Sequence, residues 1–349
     1  MKKTLTSLAL CCIATLAWAQ TSLPYWKDIQ TVGVNREAAR TAFMTYDNRT
    51  NALTGQYSNS PYYQLLNGTW NFYYVDAYKD LPVGIEQPEA AIDWKTIKVP
   101  GNWEMQGHGV AIYTNHGYEW KPRNPKPPQL PEATPVGVYQ RDFEIPASWD
   151  GRDIFLSIDG AKSGVYVYVN GKEVGYSEDA KNTAEFKLNK YLKAGKNSLV
   201  LKIYRWSTGA YLECQDFWRM SGIERDVFLF SQPKNHIRDF QVVSTLDDTY
   251  KNGIFKLATA VQTEGQQNDL SLSYELLDAQ GNVVAQGTQK SDKFNQIFEA
   301  QLPNVKTWTS EHPNLYQLLI TLKEGDKVTE VIPYRVGFRR FEIKEIEQK

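Results

Sequence analysis

The chain has 349 residues, enough for about two domains, and a net charge of −1 from 39 basic and 40 acidic side chains. Charges this evenly mixed leave no basic stripe, which argues against a nucleic-acid surface. Aromatic residues make up 13% of the sequence, with 21 Tyr and 10 Trp, an excess that favours β-rich structure and suits a carbohydrate ligand.

The amino terminus reads as a targeting device. Lys2 and Lys3 precede an apolar run from Leu5 to Leu16, and Ala17-Trp18-Ala19 forms a small-x-small cleavage site before Gln20, the pattern of a secretory signal peptide. The run is too short to span a bilayer, and Leu10 is bulky where lipid attachment at Cys11 asks for a small residue. The chain is therefore expected to be secreted or periplasmic after loss of residues 1–19, and no later segment reads as a membrane span. Cys11 and Cys12 leave with the signal, so Cys214 stands alone and no disulfide framework is available. No His base lies near Cys214 in sequence, which argues against a nucleophilic thiol.

Residues 20–62 read as an extended polar segment whose one candidate helix is Asn35 to Phe43. From about Leu66 the pattern turns to strands, beginning with Trp70-Asn71-Phe72-Tyr73-Tyr74-Val75. The clearest hairpin is Gly164–Val169, a turn at Asn170-Gly171, then Lys172–Tyr176, because Asn-Gly supplies the positive φ angles of a two-residue type I′ turn. Further strands are expected at Ile154–Ile158, Ala184–Leu188 and Ser198–Tyr204, and short strands with regular turn signals describe a β-sandwich.

The strands pause at Pro233. A second set follows at Phe255–Val261, Leu270–Leu277, Val283–Gly287, Gln296–Leu302, Tyr316–Lys323 and Val328–Val336, with hairpin tips at Ala279–Asn282 and Glu324–Asp326. This fits a second sandwich of immunoglobulin-like architecture without its Cys…Trp…Cys core. The organisation expected is thus all-β, with domains at 63–232 and 235–338, and a protease-sensitive junction near Gln232–His236. No βαβ alternation, phosphate loop or metal-ligand His spacing is present, and His108, His116, His236 and His312 read as structural or surface residues. The sequons at Asn48 and Asn67 carry no assignment.

One stretch concentrates chemistry. Between Lys202 and Asp226, Trp206, Phe217 and Trp218 stand among Glu213, Asp216, Arg205 and Arg219. Rings with a few fixed carboxylates suit a pyranose, whose C–H faces stack on aromatics and whose hydroxyls bond to acids. The same residues also suit a capped core corner with buried Trp and paired charges. Glu213 and Asp216 are close enough in sequence to meet, but nothing marks one as the protonated member of a catalytic pair.

Several segments together resemble the front half of the large β-galactosidases of glycoside hydrolase family 2. They are Val99-Pro100-Gly101-Asn102-Trp103-Glu104-Met105-Gln106-Gly107, Ile112-Tyr113-Thr114-Asn115, the TGAYLECQDFWRMSGIERDV run from Thr208, Trp308–Tyr316 and Val336-Gly337-Phe338-Arg339. The resemblance spans about Trp26 to Arg339. It implies a jelly-roll, galactose-binding-like domain, then an immunoglobulin-like domain, then a stub at 339–349 leading to a (β/α)₈ barrel that this chain lacks.

By the same resemblance Asn115 and Asp216 contact the galactosyl group, and Asp216 also helps bind sodium. A retaining glycosidase needs two carboxyls about 5–5.5 Å apart. The family carries both glutamates, and its divalent metal, on the barrel, so no catalytic residue is expected here. The implied function is the non-catalytic N-terminal part of a secreted enzyme that hydrolyses terminal β-D-galactosides. The alternatives are a stand-alone galactoside-binding module or a scaffold for a separately encoded barrel. Family 2 also holds β-glucuronidases and β-mannosidases with similar front domains. The implied partners are a β-galactoside or related glycan, a separate barrel chain and further copies of this chain, with no nucleic acid and no membrane.

Overall fold

The computed structural model describes residues 23–345 apart from 123, 265–268 and 291–294. The expected signal peptide at 1–19 lies outside the described residues. Within them the chain forms antiparallel sheets arranged as two successive all-β sandwiches. None of the described helices is long and apolar enough to cross a membrane.

The first sandwich faces a seven-stranded sheet against a four-stranded one. The large sheet runs in the order Gly33–Val34, Lys172–Ser177, Gly164–Val169, Lys196–Tyr204, Val136–Glu144, Gly68–Val75, Lys95–Val99. The smaller sheet is Ala184–Lys187, Asp153–Ile158, Val227–Gln232, Tyr63–Leu65. The central strands are buried on both faces along much of their length, and each face has its own use. Along Gly164–Val169 the valines Val165, Val167 and Val169 enter the inter-sheet core with Trp70, Leu156, Phe186 and Leu229. The alternate residues Tyr166 and Tyr168 turn to the opposite face, where Trp26 and Ile85 from the preceding segments cover them. This is the period-2 pattern of a strand with both sides buried.

The expected hairpin forms as read. Asn170 and Gly171 have φ of 52° and 76°, the left-handed pair that a type I′ turn requires, and Val169 pairs with Lys172 across the turn.

The second sandwich packs His236–Leu246, Gly253–Gln262 and Asn295–Leu302 against Val283–Lys290, Leu270–Leu277, Tyr316–Glu324 and Lys327–Val336. Leu270–Leu277 and Gly253–Gln262 alternate buried positions with half-buried or exposed ones, and their inward residues build one core around Phe255, Leu272, Leu318 and Phe338. The hairpin turn at Asp278–Asn282 closes through Asp278 Oδ1, which accepts from the amides of Gln280 and Asn282, both at 2.9 Å.

Two expectations fail. Asn35–Phe43 is not helical; the one α-helix among the described residues is Arg49–Leu53, capped by Asn48 Oδ1 accepting from Asn51 N at 2.8 Å. The 35–43 segment stays extended because it straddles both sandwiches. Arg40 pairs with Glu185 of the first at 2.6 Å, whereas Thr41 Oγ1 donates to Phe240 O of the second at 2.7 Å. A helix, rising 1.5 Å per residue, would shorten that reach by more than half.

The junction at Gln232–His236 is also not an open linker. Gln232 and His236 are buried, and Glu330 reaches in to accept from Gln232 Nε2 at 2.9 Å and Ile237 N at 2.7 Å. Tyr46, Phe155, Phe228, Leu319 and Val331 pack together across the two sandwiches. The interface therefore has an apolar core of its own.

Candidate functional site

At one end of the first sandwich two long loops meet in a short ribbon. Ile112–Thr114 pairs antiparallel with Phe217–Arg219, in the register Ile112 with Arg219, Tyr113 with Trp218 and Thr114 with Phe217. One residue beyond the last pair, Asn115 and Asp216 leave the ribbon from the same end. The structure therefore brings together the two residues that sequence placed about a hundred positions apart.

Both side chains are exposed. Asp216 Oδ1 accepts from Tyr113 Oη at 3.1 Å, and Asn115 Oδ1 lies 2.7 Å from His116 Nδ1. Among the described residues Asp216 forms no ion pair with Arg219, which turns its guanidinium to backbone carbonyls instead. The bond and charge of Asp216 push the Tyr113 phenol above its ordinary range, keeping the hydroxyl protonated as a donor to the carboxylate. Trp218 is 54% exposed and Tyr113 53%, with ring centres 5.6 Å apart. Ring surface, a carboxylate and an amide thus face solvent in one place.

The remaining residues of the motif are support. Trp206 is buried and donates Nε1 to Glu119 Oε2 at 2.8 Å. Glu119 also holds the buried Lys162 ammonium and lies 3.6 Å from Arg205 Nε. Arg205 stands 3.5 Å from Glu104, whose other oxygen accepts from Ser221 N at 2.9 Å. Burial raises the Glu104 carboxyl above its usual range, against the pull of that backbone bond and of Arg205. Glu213 turns inward, accepts from Ala180 N at 2.7 Å, and is likewise raised by burial.

The motif divides in two: Trp206, Arg205, Arg219 and Glu213 form the packed corner, while Asp216, Phe217 and Trp218 form an exposed face. Glu119 and Lys162 were missed. A single acid and a single lysine 43 positions apart carry no local signal. Tyr113 lay inside a quoted motif without a role, since only the ribbon register sets its hydroxyl beside Asp216.

Cys214 is half-buried, donates Sγ to Ala210 O at 3.3 Å, and is pushed up by burial, so its thiol stays protonated and inert. Among the described residues Asp216 is the one acidic side chain on this exposed end of the ribbon that a sodium ion could use. Hard cations take several oxygens, Asp216 offers one carboxylate, and the described residues hold no cluster of three or more acidic, His or Cys ligands.

Residues 63–233 match the family model for the sugar binding domain of glycosyl hydrolases family 2, and residues 235–339 match a second model of the same family. The chain carries domains of glycosyl hydrolases family 2. A β-galactosidase of Priestia megaterium is 37% identical over 322 residues, covering 89% of this chain and 31% of that protein. A β-galactosidase of Streptococcus thermophilus is 37% identical over 287 residues, covering 81% and 28%. The chain spans about a third of the length of these relatives. Among solved structures, a family 2 β-glucuronidase aligns with a TM-score of 0.64 at 19% identity, over 80% of this chain and 31% of that one. The β-glucuronidase of Bifidobacterium dentium gives 0.63 at 19%, over 81% and 49%. At such identity these two structures speak to the fold alone.

Proposed function

We propose that the two family 2 sandwiches act in a β-galactosidase as a sugar-contacting, non-catalytic wall, the first as a jelly-roll and the second as an immunoglobulin-like spacer. The observation that carries this is the convergence of Asn115 and Asp216 at one exposed end of the Tyr113–Trp218 ribbon. An amide and a carboxylate donate to and accept from vicinal hydroxyls, and a ring face takes the apolar side of a pyranose. The relatives named β-galactosidase have about two thirds of their length outside the matched region. We place the hydrolytic carboxylate pair, and any sodium or divalent metal site, in such sequence or in a separately encoded barrel. Secretion or periplasmic export through the 1–19 signal belongs to the same reading, and a mature chain beginning at Gln20 on N-terminal sequencing supports it.

A single wall binds weakly. Two or three exposed hydrogen bonds contribute about 0.5–1.5 kcal/mol each, against about 4 kcal/mol or more for immobilising the ligand. Galactose or lactose should therefore bind no tighter than millimolar, about −4 kcal/mol, and aryl β-galactosides should not be hydrolysed. Ligand-observed NMR with galactose tests this: Asn115→Ala and Asp216→Ala should each weaken binding several-fold. Equal binding by both variants would refute the assignment. Micromolar calorimetric binding that these variants abolish would make the chain a galactoside-binding module in its own right.

A further inference from the structure

One residue of the ribbon, Arg219, has no role in the proposal above. Arg219 is 0% exposed, and among the described residues it forms no ion pair. Its guanidinium instead donates from Nη1 to Glu213 O at 3.0 Å and from Nη2 to Thr114 O at 3.4 Å. Its Cζ lies over the Phe217 ring, 5.1 Å from the centroid. The Arg219 carbonyl is itself held by Arg205 Nη2 at 3.1 Å, and Arg205 stands on Glu104 and Glu119.

We propose that Arg219 is a positioning residue that ties the strand leading into Asn115 to the chain leading into Asp216, and so sets how these two side chains stand relative to each other. The inference rests on the sugar-contacting reading of that pair. Thr114 directly precedes Asn115, and Glu213 lies three residues before Asp216, so one rigid plane spans both segments. A ribbon of three residue pairs is marginal without such support. Stability alone does not call for a guanidinium here, because a buried charge without a carboxylate is costly and an apolar chain would pack with less desolvation. What the guanidinium supplies is a planar fork with fixed donor directions, which a lysine lacks. Arg205 carries the same rigidity down into the core, so the ribbon is built out from the sandwich as a stack.

The test uses the full chain with Arg219→Lys and Arg219→Met, read by hydrogen exchange with mass spectrometry. Peptides covering 112–116 and 213–219 should exchange at least tenfold faster in both variants, while peptides from 236–336 keep the wild-type rate. Lysine keeps the charge and loses the fork, so it should not rescue. Phe217→Leu removes only the ring beneath the guanidinium and should give a smaller increase at the same peptides, which guards against a misfolded Arg219 variant. Galactose binding by ligand-observed NMR should fall at least threefold in Arg219→Lys. Wild-type exchange in Arg219→Lys, or a rise spread evenly through 164–177, would overturn the positioning role. Should Asn115→Ala and Asp216→Ala leave galactose binding intact, or the wild type bind none, the sugar reading fails, and the exchange data still decide the role of Arg219 in the ribbon.

Discussion

Asp153 shows how a buried, lysine-paired carboxylate makes the fold sensitive to acid. It opens the strand Asp153–Ile158 and accepts from Lys187 at 2.7 Å and Lys234 at 2.5 Å. Burial pushes its carboxyl up, but the two lysine bonds and their charges outweigh it and leave it below the ordinary range. A folded-state pKa depressed in this way stabilises at neutral pH, and the contribution is lost as pH falls through the unfolded Asp value of about 3.9 and below. Asp153→Asn should therefore cost about 2 kcal/mol near neutrality and progressively less in acid, read from urea midpoints across that range. Glu104 and Glu178 work with the opposite sign, since burial first of all raises both. Any stabilisation from their titration is present in acid and lost as pH rises above the unfolded Glu range.

Among the elements, the hairpin at 170–171 is the one whose geometry follows most directly from residue type. Gly171 sits at φ 76°, where a Cβ is strained whatever space surrounds it, by about 1–2 kcal/mol. Gly171→Ala should lower stability by that amount in denaturant unfolding, with the slope unchanged. Gly137 tests packing rather than backbone. In the strand Val136–Glu144 a Cβ there would lie 2.5 Å from the Trp103 ring and 2.9 Å from Phe72. Gly137→Ala should cost about 1–3 kcal/mol by overpacking, and near-ultraviolet dichroism of the buried Trp should change with it. The 112–114 ribbon is the opposite case. Its strands carry no turn signal between them because about a hundred residues, including most strands of the first sandwich, separate them, and they meet only in the folded chain.

For the molecule as a whole, the junction behaves as an interface. Glu330 is fully buried, and both its oxygens accept from the segment that links the sandwiches. Removing it leaves Ile237 N–H buried without a partner, at a cost of about 1–3 kcal/mol. Wild-type protein should resist trypsin at Lys234 until it unfolds globally. Glu330→Ala should be cut there under native conditions, with fragments divided at the junction visible on a gel. Cleavage of the wild type at Lys234 at the same rate would show that the apolar contact around Tyr46 and Val331 does not close the junction.

The sequence by itself determined the period of the strands, the turn residues and the number of sandwiches, because alternation and Asn-Gly chemistry act over a few neighbours. It also singled out Asn115 and Asp216 through motif wording. Tertiary structure alone decided which motif residues face water. Trp206 and Trp218 look alike in sequence, yet one donates to Glu119 inside the corner and the other lies open on the ribbon. It decided as well that 35–43 is a strap and not a helix, since that segment's partners Glu185 and Phe240 lie about 150 and 200 residues away. It likewise closed the Pro233 junction by a carboxylate nearly a hundred positions later. Local preference sets strands and turns; burial and pairing across the chain set exposure, and exposure is what separates a solvent-facing acid such as Asp216 from a structural one such as Glu119.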